Sequence, residues 1–202
     1  MPASAPVIRR TLAAAFALIV AGPALAPSSA DACVRPFLLG DSVLAWSASV
    51  VRRELGHSAP VVDAAPCRGT VYSCLGPGQA SRPASGLSAL RSQRGRLGEV
   101  VVIELGYNDR PLRASIDRIL GELRSQGVKR VFWVNLSERR SGYRDTNRAL
   151  DAAATRWSEL RILDWRTMSA RHGSWFTDGI HLTAAGKSAF VRFLGQALDS
   201  LH

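Results

Sequence analysis

Apolar positions along the chain fall into two patterns. Short uninterrupted runs occur at Phe37-Leu38-Leu39, Val61-Val62, Val100 to Ile103, Val131 to Val134 and Leu160 to Leu163, and runs of this length suit strands covered on both faces. Between them apolar residues recur at helical spacing: Leu44, Ala48, Val51 and Leu55; Leu112, Ile116, Ile119, Leu120 and Leu123; Phe190, Phe193, Leu194, Leu198 and Leu201. The alternation predicts βαβ units, hence an α/β fold: a three-layer α/β/α sandwich around a five-stranded parallel sheet. Ligands of such sheets bind beyond the carboxyl ends of the strands, so the residues that follow each run are where chemistry is sought. Residues 66–98 are the least regular part, rich in Gly, Pro, Ser and Arg, and predict a long loop with at most one helix around Leu87 to Arg94.

The first 32 residues read differently. Arg9 and Arg10 precede an apolar run from Leu12 to Ala26, and small residues follow through Ala32. This predicts an export signal over 1–32, cleaved near 30–32, with 33–202 as a single domain. The run is shorter than the ~20 residues that span a bilayer and is broken by Gly22-Pro23, so no stable membrane span is expected after cleavage. Arg9-Arg10-Thr11-Leu12 weakly resembles a twin-arginine signal, which leaves the export route open. The expected location is secreted, periplasmic or cell-envelope.

Charge narrows the partners. Removing two Arg and one Asp with the signal takes the 26 basic and 16 acidic residues to 24 and 15, a formal charge of +9. The basic residues are scattered arginines rather than a dense block, which argues against nucleic acid and toward anionic envelope glycans or lipids. Of the three cysteines, Cys67 and Cys74 lie in one short loop and are the expected disulfide, with Cys33 left over. No histidine stands at a ligand-like spacing from them, so no metal site is expected.

Three polar segments follow strands or precede the last helix: Gly40-Asp41-Ser42, Gly106-Tyr107-Asn108-Asp109 and Asp178-Gly179-Ile180-His181. Each alone reads as a cap, a turn or a solvated loop. Together they supply what a serine nucleophile needs: an imidazole to take its proton, a carboxylate to orient the imidazole, and an amide to hold an oxyanion.

In order and spelling these segments resemble the first, third and fifth sequence blocks of the SGNH (GDSL-like) hydrolase family. Val61-Val62-Asp63-Ala64 followed by Arg68, the Val131 to Asn135 strand, Asn147 and Leu163-Asp164-Trp165 look most like the extracytoplasmic SGNH domains of membrane O-acyltransferases. The resemblance implies a flavodoxin-like SGNH fold and a serine esterase in which Ser42 is nucleophile, His181 general base and Asp178 the orienting carboxylate. It implies an oxyanion hole from the Ser42 N–H, the Asn108 side chain and a second-block N–H, for which Gly69 is chosen over an offset to Cys67 or Arg68. No cofactor is implied. The expected substrate is an ester-bearing small molecule, lipid or envelope glycan. Transfer to a glycan hydroxyl uses the same groups, and a non-catalytic glycan- or lipid-binding domain is the rival; oligomeric state is not readable.

Secondary roles follow. Arg68, Arg139 and Arg140 come after strands and are taken as a cationic substrate rim. Trp175, in the loop leading to Asp178, is taken to line the pocket, whereas Trp46, Trp133, Trp157 and Trp165 fall at helix or strand positions and read as core. Asp41 is expected to brace the turn of Ser42, and Asp109 to cap a helix starting near Pro111.

Overall fold

A computed structural model describes Met1 and residues 35–200. The expected leader and the spare Cys33 lie outside the described residues. The order of elements is β1 (Phe37–Gly40), α1 (Ser42–Glu54), β2 (Val61–Ala64), α2 (Gly86–Ser92), β3 (Val100–Glu104), α3 (Arg113–Ser125), β4 (Arg130–Val134), α4 (Arg144–Ala154), β5 (Leu160–Leu163), α5 (Trp165–Ser169) and α6 (Ala184–Asp199).

The five strands form one parallel sheet in the order β2-β1-β3-β4-β5. Strands β1 and β3 are buried at every position and apolar at all but the last of β3, Glu104, because both faces of the sheet are covered. Alternate side chains serve different layers. Leu38, Val100, Val102, Phe132 and Val134 pack with residues of α1 and α6, including Leu44, Val51, Phe190 and Leu194. Leu39, Val101, Ile103, Val131 and Trp133 pack with α2, α3 and α4 through Leu90, Ile116, Leu120 and Leu150. The two cores on opposite faces are the three-layer sandwich.

Register places the chemistry. Gly40 of β1 pairs with Ala64 of β2 and with Glu104 of β3, so the residues after these three strands emerge side by side. Among the described residues no helix is long and apolar enough to cross a membrane. The helix predicted near Leu87 to Arg94 is α2, shifted slightly toward the N-terminus.

Candidate active site

The turn from β1 into α1 is built from caps. Asp41 is the N-cap: its Oδ1 accepts from the Val43 N–H at 3.0 Å, and its carbonyl accepts from the Ala45 N–H at 2.9 Å. Glu104, the last residue of β3, accepts at Oε2 from the N–H groups of Asp41 and Leu44, each at 3.3 Å. The amides of Val43, Leu44 and Ala45 are thereby satisfied, and that of Ser42 alone in this turn has no protein acceptor among the described residues. It is an open donor at the positive end of a helix.

His181 stands on the loop before α6. Thr177 N–H donates to the His181 carbonyl at 2.8 Å, and Phe176 bridges Leu182, which closes residues 177–182 into a tight loop. His181 Nε2 lies 3.1 Å from Ser42 Oγ, and His181 Nδ1 lies 2.8 Å from Asp178 Oδ2. The other oxygen of Asp178 accepts from the N–H groups of Ile180 at 2.9 Å and His181 at 2.8 Å. Partial burial on its own would raise the Asp178 pKa, but the backbone donors of His181 and Ile180 and the imidazole outweigh it and hold the carboxyl at about 2. An ionised carboxylate only accepts, so Nδ1 carries the imidazole proton and Nε2 offers its lone pair to Ser42.

Beneath Ser42 lies a pair of acids. Asp41 and Glu104 are both buried, at 0% and 2% exposure. Burial pushes Asp41 up to about 6; burial and the adjacent Asp41 charge push Glu104 well above the usual carboxylate range. Two adjacent buried carboxyls cannot both ionise there, so the pair retains a proton. Glu104 went unnoticed in the sequence although an acid closing an apolar run marks either a partner or a proton.

The third wall is the loop after β2. Arg68 N–H donates to the Ala65 carbonyl at 3.2 Å, with Pro66 second and Cys67 third at φ 69°, the signature of a type II turn. Cys67 is bonded to Cys74, the expected disulfide. Cys67 faces a cleft of about 490 Å³ shared with Ser42, Trp46, Pro66, Pro77, Asn108 and His181. The Cys67 N–H has no protein acceptor among the described residues.

Several expectations are corrected here. Gly69 is buried and does not line the cleft; its N–H donates to Ser73 Oγ at 3.3 Å, and a Cβ there would collide with the Tyr72 carbonyl, so its glycine serves close packing. Arg68 is no rim residue. At 5% exposure it pairs with Asp63 at 2.8 Å and donates to the carbonyls of Asp63 and Ala84, pinning the loop to β2. Trp175 stacks between His172 and Trp165, away from the cleft. Arg139 donates to the Ala170 carbonyl and lies over the Phe176 ring, which props the loop that carries His181. Asp109 does not cap α3, which starts at Arg113; its Oδ2 accepts from Thr70 Oγ1 at 2.6 Å and the Val71 N–H at 3.1 Å, tying the second loop to the third.

Other expectations have a clear place. Arg140 packs its stem against Gly179, beside Asp178, and no carboxylate among the described residues pairs with its guanidinium. Asn108 lines the cleft, but its Nδ2 already donates to Asp41 Oδ2 at 3.1 Å and to the Arg68 carbonyl at 3.0 Å. It therefore joins the Ser42 turn to the Cys67 turn. Trp46, read as core, is 48% exposed and lies with its ring centroid 4.4 Å from that of His181. Among the described residues no group of acidic, His and Cys side chains could hold a metal ion.

Comparison with known proteins agrees with this fold. No protein-family model matches the chain. O-acetyltransferase OatA of Staphylococcus aureus (strain NCTC 8325 / PS 47) is 24% identical over 173 residues, covering 82% of this chain and 25% of that protein. Putative peptidoglycan O-acetyltransferase YrhL of Bacillus subtilis (strain 168) is 28% identical over 103 residues, 50% of this chain and 16% of that protein. The chain thus spans a quarter or less of the length of these relatives. The C-terminal catalytic domain of Streptococcus pneumoniae peptidoglycan O-acetyltransferase A (OatA), solved with a methylsulfonyl adduct, superimposes with a TM-score of 0.65 at 18% identity over 82% of this chain and 93% of that one. A GDSL-like lipase from Bacteroides thetaiotaomicron VPI-5482 gives 0.64 at 12% identity over 84% and 90%.

Proposed function

On the premise that this chain is an SGNH-type domain, homologous to the C-terminal catalytic domain of OatA, we propose that it is a secreted serine esterase acting on acyl esters of an envelope glycan. The observation that carries the reading is the chain of contacts from Ser42 Oγ through His181 to Asp178, set beside a Ser42 N–H that has no acceptor among the described residues.

In the proposed reaction His181 Nε2 takes the Ser42 proton as Oγ attacks the ester carbonyl, and Asp178 holds the imidazolium that forms. The oxyanion is met by the N–H groups of Ser42 and Cys67. Asn108 is the third donor once one of its hydrogens turns from the Arg68 carbonyl. His181 then returns the proton to the leaving alcohol, and water activated by the same imidazole releases the acyl group. Arg140, with no carboxylate partner among the described residues, supplies a cation for the acidic groups of a glycan, in keeping with the basic chain. No cofactor enters.

Transfer of the acyl group to a glycan hydroxyl is the second reading, favoured by relatives that bear the name O-acetyltransferase. Hydrolysis stands first because the His181 side chain is 29% exposed and Trp46 more so, which leaves the acyl-enzyme open to water.

A serine-directed phosphonate tests the reading. It should label Ser42 in the intact protein, and Ser42→Ala and His181→Ala should each reduce ester turnover to background, with the double variant hardly worse than either. Labelling at another serine, or turnover by Ser42→Ala, would overturn it.

A further inference from the structure

The alcohol half of an ester has a definite place in such a site. The leaving oxygen must come within reach of the proton on His181 Nε2, so whatever it is attached to extends over or beside the imidazole. The acyl half sits on the other side, where the carbonyl meets the amides of Ser42 and Cys67.

Trp46 occupies the imidazole side. It lies one helical turn beyond Ser42 on α1, four residues on, and therefore on the same helix face. Its ring stands 4.4 Å from the His181 ring, tilted by 38°. It is 48% exposed, a large apolar surface left in solvent on a helix whose leucine and valines are buried. Its indole N–H has no acceptor among the described residues and is free to meet one from outside. A flat aromatic face with a polar edge, half wet, fits a partner that is apolar on one face and hydroxylated at its rim. A sugar ring has that form.

The remainder of the cleft does not compete for this part. Gln79, its other long polar side chain, is consumed within the wall, accepting from the Gly76 N–H at 2.7 Å and donating to the Pro66 carbonyl at 3.1 Å. Pro66, Pro77 and Cys67 supply the rest of the apolar lining.

We propose that Trp46 is the platform on which the sugar ring of the ester's alcohol portion stacks, making it the residue that selects glycan esters over simple alkyl esters. The proposal rests on the function proposed above and names the moiety that its site receives.

The test compares an O-acetylated hexosamine oligosaccharide with ethyl acetate, whose alcohol is too small to reach the indole. Trp46→Ala should lower the ratio of kcat/KM for the glycan ester to that for ethyl acetate by about tenfold, the size of one lost stacking contact, chiefly through KM. Trp46→Phe should restore most of that ratio. In a Ser42→Ala background, titration with the unesterified oligosaccharide should show about tenfold weaker binding when Trp46 is also replaced by Ala. A ratio that stays constant because both substrates lose equally would overturn the proposal. So would a changed preference among ethyl acetate, butyrate and hexanoate with glycan discrimination intact, since that assigns the indole to the acyl half. Retained turnover by Ser42→Ala would instead sink the nucleophile assignment, while the titration still reads the platform.

Discussion

Two carboxylate centres flank Ser42, and the same chemical group is driven in opposite directions in them. Asp178, on the solvent side, has 41% of its side chain exposed and accepts from two backbone amides and an imidazole. Its pKa is held down at about 2. Asp41 and Glu104, beneath the serine, are sealed from water and next to each other, and both are pushed up. Donor number decides the contrast. Two amides and a ring N–H outweigh partial desolvation at Asp178, whereas two buried acids that share a few amides are left with one charge more than the site tolerates. The first centre keeps a negative charge available for an imidazolium; the second uses carboxyl oxygens as acceptors that leave the Ser42 amide unoccupied.

The largest way to break this contrast is to neutralise the outer member. Asp178→Asn keeps the shape but puts an amide against Nδ1 and favours the wrong tautomer, and kcat should fall by about 10⁴-fold. Single-turnover kinetics measure it. A loss below tenfold would mean that the charge of Asp178 is not used.

The inner pair should respond through stability. Glu104→Ala leaves the amide of Leu44 without its acceptor and weakens that of Asp41, which costs about 1–3 kcal/mol per orphaned group, read from the urea midpoint. Glu104→Gln keeps an oxygen for those amides and an N–H for Asp41, and should lose well under half as much. Equal losses would show that the proton retained by the pair, rather than the acceptor geometry, holds the turn.

The smallest effect is one of pH, and its sign differs between the centres. Asp41 keeps its proton in the folded protein to about 6, above its ordinary 3.8, so the folded state binds more protons in that interval and stability declines as pH rises through it. Asp178 gives the reverse: its contribution is complete above 3.8 and is lost as pH falls toward about 2. Asp41→Asn should therefore flatten the decline between 3.8 and about 6 while leaving the acid loss in place. Glu104, His181 and Asp109 also act on Asp41, so chemical denaturation of both proteins across the full range is the measurement. An unchanged slope in the variant would assign the decline to another group.

Much of this was legible in the chain because its signal is contiguous. The buried strands are uninterrupted apolar runs, and Ser42, Asn108, Asp178 and His181 each stand in a short block at a strand or helix boundary. What escaped depends on loop path and facing. Cys67 and not Gly69 faces the cleft because a type II turn begins at Ala65, and only a three-dimensional path shows which amide it exposes. Arg68 looks like any surface arginine until Asp63 and two carbonyls enclose it. Trp46 did leave a trace: it falls outside the stripe of Leu44, Ala48, Val51 and Leu55 and shares a face with Ser42, a position that a core tryptophan would not take. Trp175 was drawn to the site by its nearness in sequence to Asp178, yet the stack with His172 and Trp165 turns it away.

The ladder between β1 and β3 carries one more consequence. Gly40 opposite Glu104 fixes the phase in which the Ser42 turn meets the loop of Asn108, so chain length is not equally free everywhere. Residues 126–129 and 155–159 lie at the opposite rim of the sheet, where a gained or lost residue costs local contacts such as those of Val128 and Trp157 and the slowly growing entropy of a loop, and leaves the Ser42 turn in place. A single deletion between Gly40 and Ser42, or between Glu104 and Asn108, draws Ser42 or Asn108 back by one residue and separates it from its partners across the cleft. Natural length variation in relatives of this chain should therefore gather at that far rim and spare the two short spans that leave β1 and β3.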